Sequence, residues 1–441
     1  MHAEASTPRR TVAFVTMGCA KNEVDSALMR ARLLKAGYQV IEDAPRADAV
    51  IVNTCSFIRA ATEESIEAIL DVAGFESVSS GRAHLVVSGC MPARYGDDLR
   101  GELSEAGAFV PCSEEDDIVS VMDSLFGSPL EAGAGESTEP FFAEAAPVSA
   151  YVKISDGCDR FCSFCSIPFI RGRYHSFPYE RIRDDVADLV ARGTREVVLI
   201  AQDTGRWGDD FDDPSTLASL MDRLAREFPG TWLRVMYIQP EGVTDELIDT
   251  VASHGNICNY FDIPFQHVDS NLLTRMNRRG SREEYYALIE RVRTRIPDVA
   301  LRTTLMAGFP GETDEQFEDL CAFVEDAELD YIGVFAYSRE EGTRAFRFDD
   351  QVEDDEKAER AQRLRDLADS VCVPRVAERI GSVTDVLVCG AEQDGRLFGR
   401  APFQAPDVDG VVYLEAGEVG EVRRIFLEDA LLYELEGSDV Q

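Results

Sequence analysis

Cys158, Cys162 and Cys165 lie in the stretch YVKISDGCDRFCSFCSIPFIRGRYHSF, residues 151–177, with the spacing C-x3-C-x2-C. On a short loop this spacing lets three sulfurs converge on one corner of a metal centre, and Gly157 gives the backbone room to turn just before the first of them. Three ligands are one too few for a closed tetrahedral zinc site or for an iron-sulfur cluster held entirely by protein. The missing ligand leaves a coordination position open. A four-iron four-sulfur cube with one free iron can bind a small molecule there, and thiolates are the soft ligands such a cube takes. Two plainer readings stand beside this one: a thioredoxin-type pair made of Cys162 and Cys165, or a zinc knuckle whose fourth ligand lies elsewhere. Either would leave the first cysteine and the strand-helix pattern that follows unused.

A second trio is spread along the N-terminal region. TVAFVT, DAVIVN and HLVVS are short, β-branched, apolar runs that read as strands, and each is followed within a few residues by a cysteine: Cys19, Cys55 and Cys90. Ligands of an open parallel sheet gather beyond the carboxyl ends of its strands, so these thiols are expected to meet at one edge as a second three-cysteine site. The alternative is three small buried residues at loop starts, since free cysteine is commonly core. Cys112, Cys258, Cys321, Cys372 and Cys389 show no such arrangement and read as inert.

The elements that must position these sulfurs follow from the pattern of the chain. Residues 11–126 alternate strand and amphipathic helix, with Val24, Leu28, Leu33 and Leu34 at helical spacing, which predicts a small parallel sheet covered by helices. Residues 127–148, rich in Gly, Pro, Ala and Glu, read as a linker. A second alternation fills 149–345, with strands AYVKIS, EVVLIA, WLRVMY, YFDIP, ALRTTL and YIGVFA. Helices are expected at 179–192, 214–228, 243–253, 281–295 and 313–327, and Ser281 with Glu284 and Thr313 with Gln316 form capping boxes. These units predict a partial, open (β/α)6 barrel whose working face is the carboxyl end of its strands.

That rule nominates Gln202 and Asp203 after the second strand, Gln239 after the third, Gln266 and His267 after the fourth, and Tyr337 and Ser338 after the sixth. His267 is read as a loop histidine rather than a base. GFPGET, Gly308 to Thr313, follows the fifth strand and opens onto a helix N-terminus, which suits an anionic or zwitterionic group. Residues 346–373 read as a charged connecting helix, and 374–441 as short strands of a small all-β barrel.

Composition sets outer bounds. A chain of 441 residues with 45% hydrophobic content has room for several cores. The opening MHAEASTPRR lacks an apolar core and no run approaches the length of a membrane span, so a soluble, unprocessed, cytoplasmic protein is expected. Eleven cysteines without a signal peptide favour metal or redox use over disulfides. The formal charge of -38 repels phosphate backbones and attracts basic partners.

From about residue 11 to 441 the chain resembles the methylthiotransferase family of radical S-adenosylmethionine (SAM) enzymes, and within it the RimO type, which modifies a ribosomal protein. The resemblance is carried by GCAKNEVDS at 18–26, KISDGCDRFCSFCSIP at 153–168, AQDTGRWGDD at 201–210, FDIPFQH at 261–267, LRTTLMAGFPGET at 301–313, VFAYSREEGTRA at 334–345 and APDVDGVVYL at 405–414. Ala20 and Ala27 stand where this type usually has proline and glutamate, and PFIRGRYHSF departs from the usual sequence after the third cysteine. The resemblance implies that the barrel is a radical SAM domain and the terminal one a TRAM domain. It implies one 4Fe-4S cluster on Cys158, Cys162 and Cys165, which binds SAM and cleaves it to methionine and a deoxyadenosyl radical. A second 4Fe-4S cluster on Cys19, Cys55 and Cys90 would carry the sulfur to be inserted.

Phe164 matches the aromatic found beside the adenine, and the segment that holds Gly308, Gly311 and Glu312 lies near SAM in the family; Gln202, at the second strand end, is expected to bind the cofactor with them. The implied reaction adds a methylthio group to the beta carbon of an aspartate in ribosomal protein S-twelve. Reduced flavodoxin or ferredoxin would supply electrons, with no membrane partner and no nucleic-acid substrate. Residues 374–441 hold six arginines, no lysine and fourteen acids, a net of -8, where a phosphate-binding module would be basic. Methylthiolation of a transfer RNA adenosine by the same chemistry is the nearest alternative. A non-catalytic zinc or RNA-binding protein is the distant one.

Overall fold

The computed structural model describes residues 10–127 and 147–440, so most of the expected linker lies outside the described residues. They fall into two compact units: the N-terminal region up to 127 together with Gly157–Asp159 and Cys165–Arg173, and a second unit made of the rest.

The first unit is a parallel sheet of β1 (Thr11–Thr16), β2 (Gln39–Val40), β3 (Ala49–Thr54), β4 (His84–Gly89) and β5 (Ala108–Pro111), in the order β2-β1-β3-β4-β5. Its helices are α1 (Ala20–Lys35), α2 (Arg59–Ala73), α3 (Glu76–Ser79), α4 (Cys90–Glu102) and α5 (Ile118–Leu125). All of β3 is buried, because AVIVNT is covered on both faces. Val50 and Val52 pack with Ile69, Val72 and Met91 of α2 and α4. Ala49 and Ile51 face Met29, Leu33, Ile118 and Met122 of α1 and α5 on the other side. The period of two along the strand thus sorts its apolar residues between two cores. The order reverses between β1 and β3, and such a switch opens a crevice beyond the carboxyl ends of the strands. β2 and β5 were not among the expected strands.

The second unit holds six parallel strands, after a short α6 (Ile167–Ile170) in the first. They are β6 (Ser149–Lys153), β9 (Glu196–Ile200), β10 (Trp232–Val235), β11 (Tyr260–Asp262), β12 (Ala300–Ala307) and β13 (Tyr331–Ala336), with a small ribbon of β7 (Ser155–Asp156) and β8 (His175–Ser176) beside them. β10, β9 and β6 form one run and β11, β12 and β13 another. Leu233 N to Asn256 O (2.8 Å) and Ile238 N to Asp262 O (3.0 Å) join the two, so space follows sequence order from β6 to β13. Among the described residues no pairing closes β13 onto β6, which leaves the expected open barrel.

Helices α7 (Tyr179–Ala191), α8 (Leu217–Glu227), α9 (Asp245–Ser253), α10 (Ser270–Arg275), α11 (Arg282–Arg295) and α12 (Asp314–Ala327) cover it. In α8, Leu217, Leu220, Met221 and Leu224 repeat at helical spacing and are all buried in the barrel core. Thr313 and Gln316 form the reciprocal capping box of α12, whereas for α11 Ser281 accepts from Glu284 N.

The long α13 (Asp354–Ala377) leads to a closed barrel of β14 (Val383–Ala391), β15 (Leu397–Arg400), β16 (Val412–Leu414), β17 (Val422–Leu431) and β18 (Glu434–Asp439). This small barrel seals the amino-terminal ends of the larger barrel's strands. Glu196, the first residue of β9, pairs with Arg234 (2.8 Å) and Arg400 (2.6 Å). Tyr260, the first residue of β11, donates to Asp409 Oδ2 (2.5 Å), and Asp409 Oδ1 accepts from Arg302 Nε (3.3 Å). The opposite face, beyond the carboxyl ends of the strands, is left free of this joint.

Candidate iron-sulfur and SAM site

The carboxyl edge of the first sheet gathers the expected trio. Cys19 is the N-cap residue of α1, Cys55 follows β3 directly, and Cys90 opens α4 just after β4. Asn22, fully buried one turn into α1, is the hub. Its Nδ2 donates to Met17 O and Thr54 O at 2.9 Å each, the carbonyls that end two strands. Its Oδ1 lies 4.0 Å from Cys19 Sγ and 3.9 Å from Cys90 Sγ. Gly18 completes the approach. With φ of +93° it takes a conformation that suits glycine, and a Cβ there would stand 2.4 Å from Cys55 Cβ and 3.0 Å from its sulfur.

Arg171 adds a charge to this edge. Its Nη2 reaches Asp25 Oδ2 (2.8 Å), Asn22 Oδ1 (3.0 Å) and Cys90 Sγ (3.8 Å). Cys90 is lowered, by its coupling to Cys112 and by the Arg171 guanidinium, against its burial. Cys55 is pushed up to about 11, chiefly by burial, with Cys90 and Cys19 nearby adding to the cost of a charge.

Cys112, read from the sequence as inert, also lies at a strand end. It directly follows β5, a fourth strand end in the same row, and its Sγ lies 3.3 Å from Ile170 O. AFVP is too short and too close to proline to read as a strand, so this position was not legible. Asn22 and Arg171 were missed too. Asn22 carried a weak signal, a polar residue three positions after Cys19 on the face of α1 that must be buried. Cys258, Cys321 and Cys372 are buried, and each is pushed up by burial.

Among the described residues no group of His, Cys, Asp or Glu is close enough to hold a single metal ion. Three thiols on separate strand ends, with no imidazole or carboxylate among them, instead match the donor set of a cube that takes one thiolate per iron.

In the loop of the other trio, Cys158 and Cys165 fold with the first unit and Cys162 with the second. Cys158 N donates to Gly172 O (3.1 Å), and Gly157 at φ of +73° would drive a Cβ to 2.1 Å from Arg173 O. On the barrel, Arg160 pairs with the buried Asp203 (2.5 Å) and Asn277 Nδ2 donates to Arg160 O (2.7 Å). Ser163 N donates to Met276 O (2.9 Å) and its carbonyl accepts from Ala345 N (2.7 Å). Asp203, nominated from its strand end, is thereby a clamp on the loop.

The other nominated residues divide in two. Gln202 after β9, Gln239 after β10, His267 after β11 and Tyr337 after β13 each hold a buried polar atom without a hydrogen-bond partner. Orphaned polar atoms at four strand ends fit a polar ligand in the barrel mouth. Phe164 is half-buried against the barrel core. His267 is pushed down to about 4 by burial, and its Nδ1 accepts from Asp269 N (3.0 Å), so the ring is neutral.

GFPGET uses its amides internally. Gly308 N donates to both carboxylate oxygens of Glu312 (3.0 Å each), Gly311 N to Asp350 O (2.8 Å), and Glu312 is held by Arg360 (2.8 Å). A Cβ on Gly308 would collide with Lys357 Cγ at 2.2 Å, so this glycine lets α13 approach. Gln266 joins the sheet through its backbone, and Ser338 donates to Glu340 (2.5 Å).

Comparison with known proteins agrees with this geometry. Residues 152–324 match the radical SAM superfamily, 11–110 an uncharacterized protein family, UPF0004, and 380–440 the TRAM domain. The chain is a radical SAM enzyme, of the class that works with SAM and 4Fe-4S clusters. It is 39% identical to the ribosomal protein uS12 methylthiotransferase RimO of Trichlorobacter lovleyi, over 97% of each chain. To its counterpart in Geobacter sulfurreducens it is 40% identical, over 98% of this chain and 99% of the other. The protein belongs to the RimO family of methylthiotransferases. Among solved structures its fold is similar to that of the radical SAM methyltransferase TsrM from Kitasatospora setae, with a TM-score of 0.55, 16% identity and 75% of each chain covered.

Proposed function

We propose that this enzyme adds a methylthio group to the beta carbon of an aspartate in ribosomal protein uS12, with Cys158, Cys162 and Cys165 holding the SAM-binding cluster and Cys19, Cys55 and Cys90 the auxiliary one. The observation that carries this reading is the gathering of three strand-end thiols at one sheet edge, two of them facing Asn22 Oδ1. When bound, the two clusters and SAM supply the radical and the sulfur chemistry of the family. The chain's own residues do the positioning. Asn22 ties two strand ends and faces two sulfurs with one oxygen, while Arg171 brings a positive charge to Cys90. Gln202, Gln239 and Tyr337 offer buried polar groups to SAM at the barrel mouth. Arg160 and Asn277 hold the cysteine loop against the barrel.

The terminal barrel supports a basic protein substrate over RNA. Its net charge is -8, and three of its six arginines are paired with acids, Arg400 with Glu196, Arg396 with Glu436, and Arg423 with Asp439. Reduced flavodoxin or ferredoxin is the electron source in this reading, and the cytoplasm the compartment. Among the described residues no helix is long and apolar enough to cross a membrane.

The test is anaerobic reconstitution followed by incubation with SAM, reductant and either uS12 or transfer RNA. About eight irons per chain and a methylthio mass increase on uS12 are expected. A colourless zinc protein, or modification of RNA alone, would overturn the assignment.

A further inference from the structure

The six strands of the larger barrel carry three basic residues, Lys153, Arg234 and Arg302. Val152 and Ile154 belong to the core beneath the covering helices, so the alternation of β6 turns Ser149, Tyr151 and Lys153 to the barrel's interior. Arg234 and Arg302 face inward as well, since their neighbours Leu233, Val235 and Leu301 belong to the same core, but both are committed in the layer next to the small barrel. Arg234 pairs with Glu196 (2.8 Å), and Arg302 with Asp262 (3.2 Å) and Asp409 (3.3 Å). Lys153 stands at the other end. It is the last residue of β6, it is buried, and its Nζ donates to Asp156 Oδ2 (2.9 Å). Asp156 directs the ammonium, and an ammonium carries three donors. The interior is open along β13. A Cβ on Gly333 would stand 3.3 Å from Arg302 Nη2 and 3.6 Å from Phe335 Cε2, so the three share the inner face, yet Phe335 is 54% exposed. A segment of a substrate protein can enter on that side.

We propose that Lys153 is a specificity-determining residue for the side chain that is modified: its ammonium takes the carboxylate of the target aspartate, which is bonded directly to the beta carbon. Bringing a carboxylate out of water demands a cation or well-placed donors. Among the described strand residues, Lys153 is the cation turned inward at the carboxyl ends, just before the cysteine loop. SAM carries a carboxylate too, so the test separates the two. The inference rests on the proposed reaction at an aspartate.

The full chain, reconstituted anaerobically, is compared with a double variant, Lys153→Met with Asp156→Asn, in which no lone acid is left behind. Each is given uS12, or uS12 with asparagine in place of the target aspartate, and methylthio product is followed by mass spectrometry. SAM affinity is read by isothermal titration. The native protein is expected to favour the aspartate form. The double variant is expected to keep about eight irons per chain and native SAM affinity. On uS12 it should lose about a hundredfold in kcat/KM, and it should treat the two forms alike. A native protein that treats them alike, or a double variant that still prefers aspartate, overturns this inference alone. So does a double variant with weakened SAM binding, which gives Lys153 to the cofactor, or one that fails to fold or to hold iron, which makes Lys153 structural. A native protein that modifies neither form overturns the proposed function as well.

Discussion

Arg171 Nη2 stands 2.8 Å from Asp25 Oδ2, with each side chain only 2% exposed, in a pair that ties the stretch after the third loop cysteine to the first turns of α1. Removing one member of such a pair strands a desolvated charge. Replacing both with apolar groups does not. Asp25→Leu alone is therefore expected to cost about 3–5 kcal/mol in a denaturant titration. Asp25→Leu combined with Arg171→Leu should regain most of that, while the Cys90 thiol loses its cationic neighbour and reacts with a thiol reagent only at higher pH.

Asn22→Ala removes two hydrogen bonds to strand-end carbonyls and the oxygen that faces Cys19 and Cys90. Leaving those carbonyls unpaired costs about 1–3 kcal/mol each if they stay buried. Reconstituted iron is expected to fall from about eight to about four per chain, with the loop cluster retained. Iron analysis beside a circular dichroism spectrum separates this from general unfolding.

What the sequence made legible was what repeats locally. The β-branched runs pointed to β1, β3 and β4, the strand-helix alternation placed a helix at 214–228 where α8 lies, and Thr313 with Gln316 marked the start of α12. Strand ends then nominated Cys19, Cys55, Cys90, Gln202, Gln239 and Tyr337 by topology alone. The rest depended on pairs far apart in sequence. Nothing near Arg171 announces Asp25, and nothing near Glu196 announces Arg400, because both pairs are made only when distant segments meet. β5 escaped because four residues ending in proline carry too little periodicity to separate a strand from a turn.

Gln202 supplies a direct test of the barrel mouth. Both polar atoms of its amide are buried and unpartnered, a cost the fold bears only if something polar meets them. Gln202→Leu should leave stability unchanged or raise it, and weaken SAM binding roughly tenfold, about 1.4 kcal/mol. Isothermal titration of the reconstituted protein with SAM, paired with thermal unfolding, reads both. Unaltered SAM affinity would remove Gln202 from the site.

The joint between the two barrels should set the acid stability of the second unit. Burial works to raise the Glu196 carboxyl, but the guanidinium groups of Arg234 and Arg400 outweigh it and hold the carboxyl at about 2, below its ordinary 4.5. A carboxyl depressed in the folded state binds its proton more readily once unfolded, so its contribution is fully present above about 4.5 and is lost as pH falls toward about 2. The size of that contribution is about 3 kcal/mol. Unfolding free energy measured across this window should therefore drop more steeply for the native chain than for Glu196→Gln, which cannot titrate. At neutral pH the glutamine variant should be the less stable of the two, because Arg234 and Arg400 then sit buried without their carboxylate. Parallel slopes for the two proteins would show that Glu196 titrates normally and that the small barrel is held by its apolar contacts.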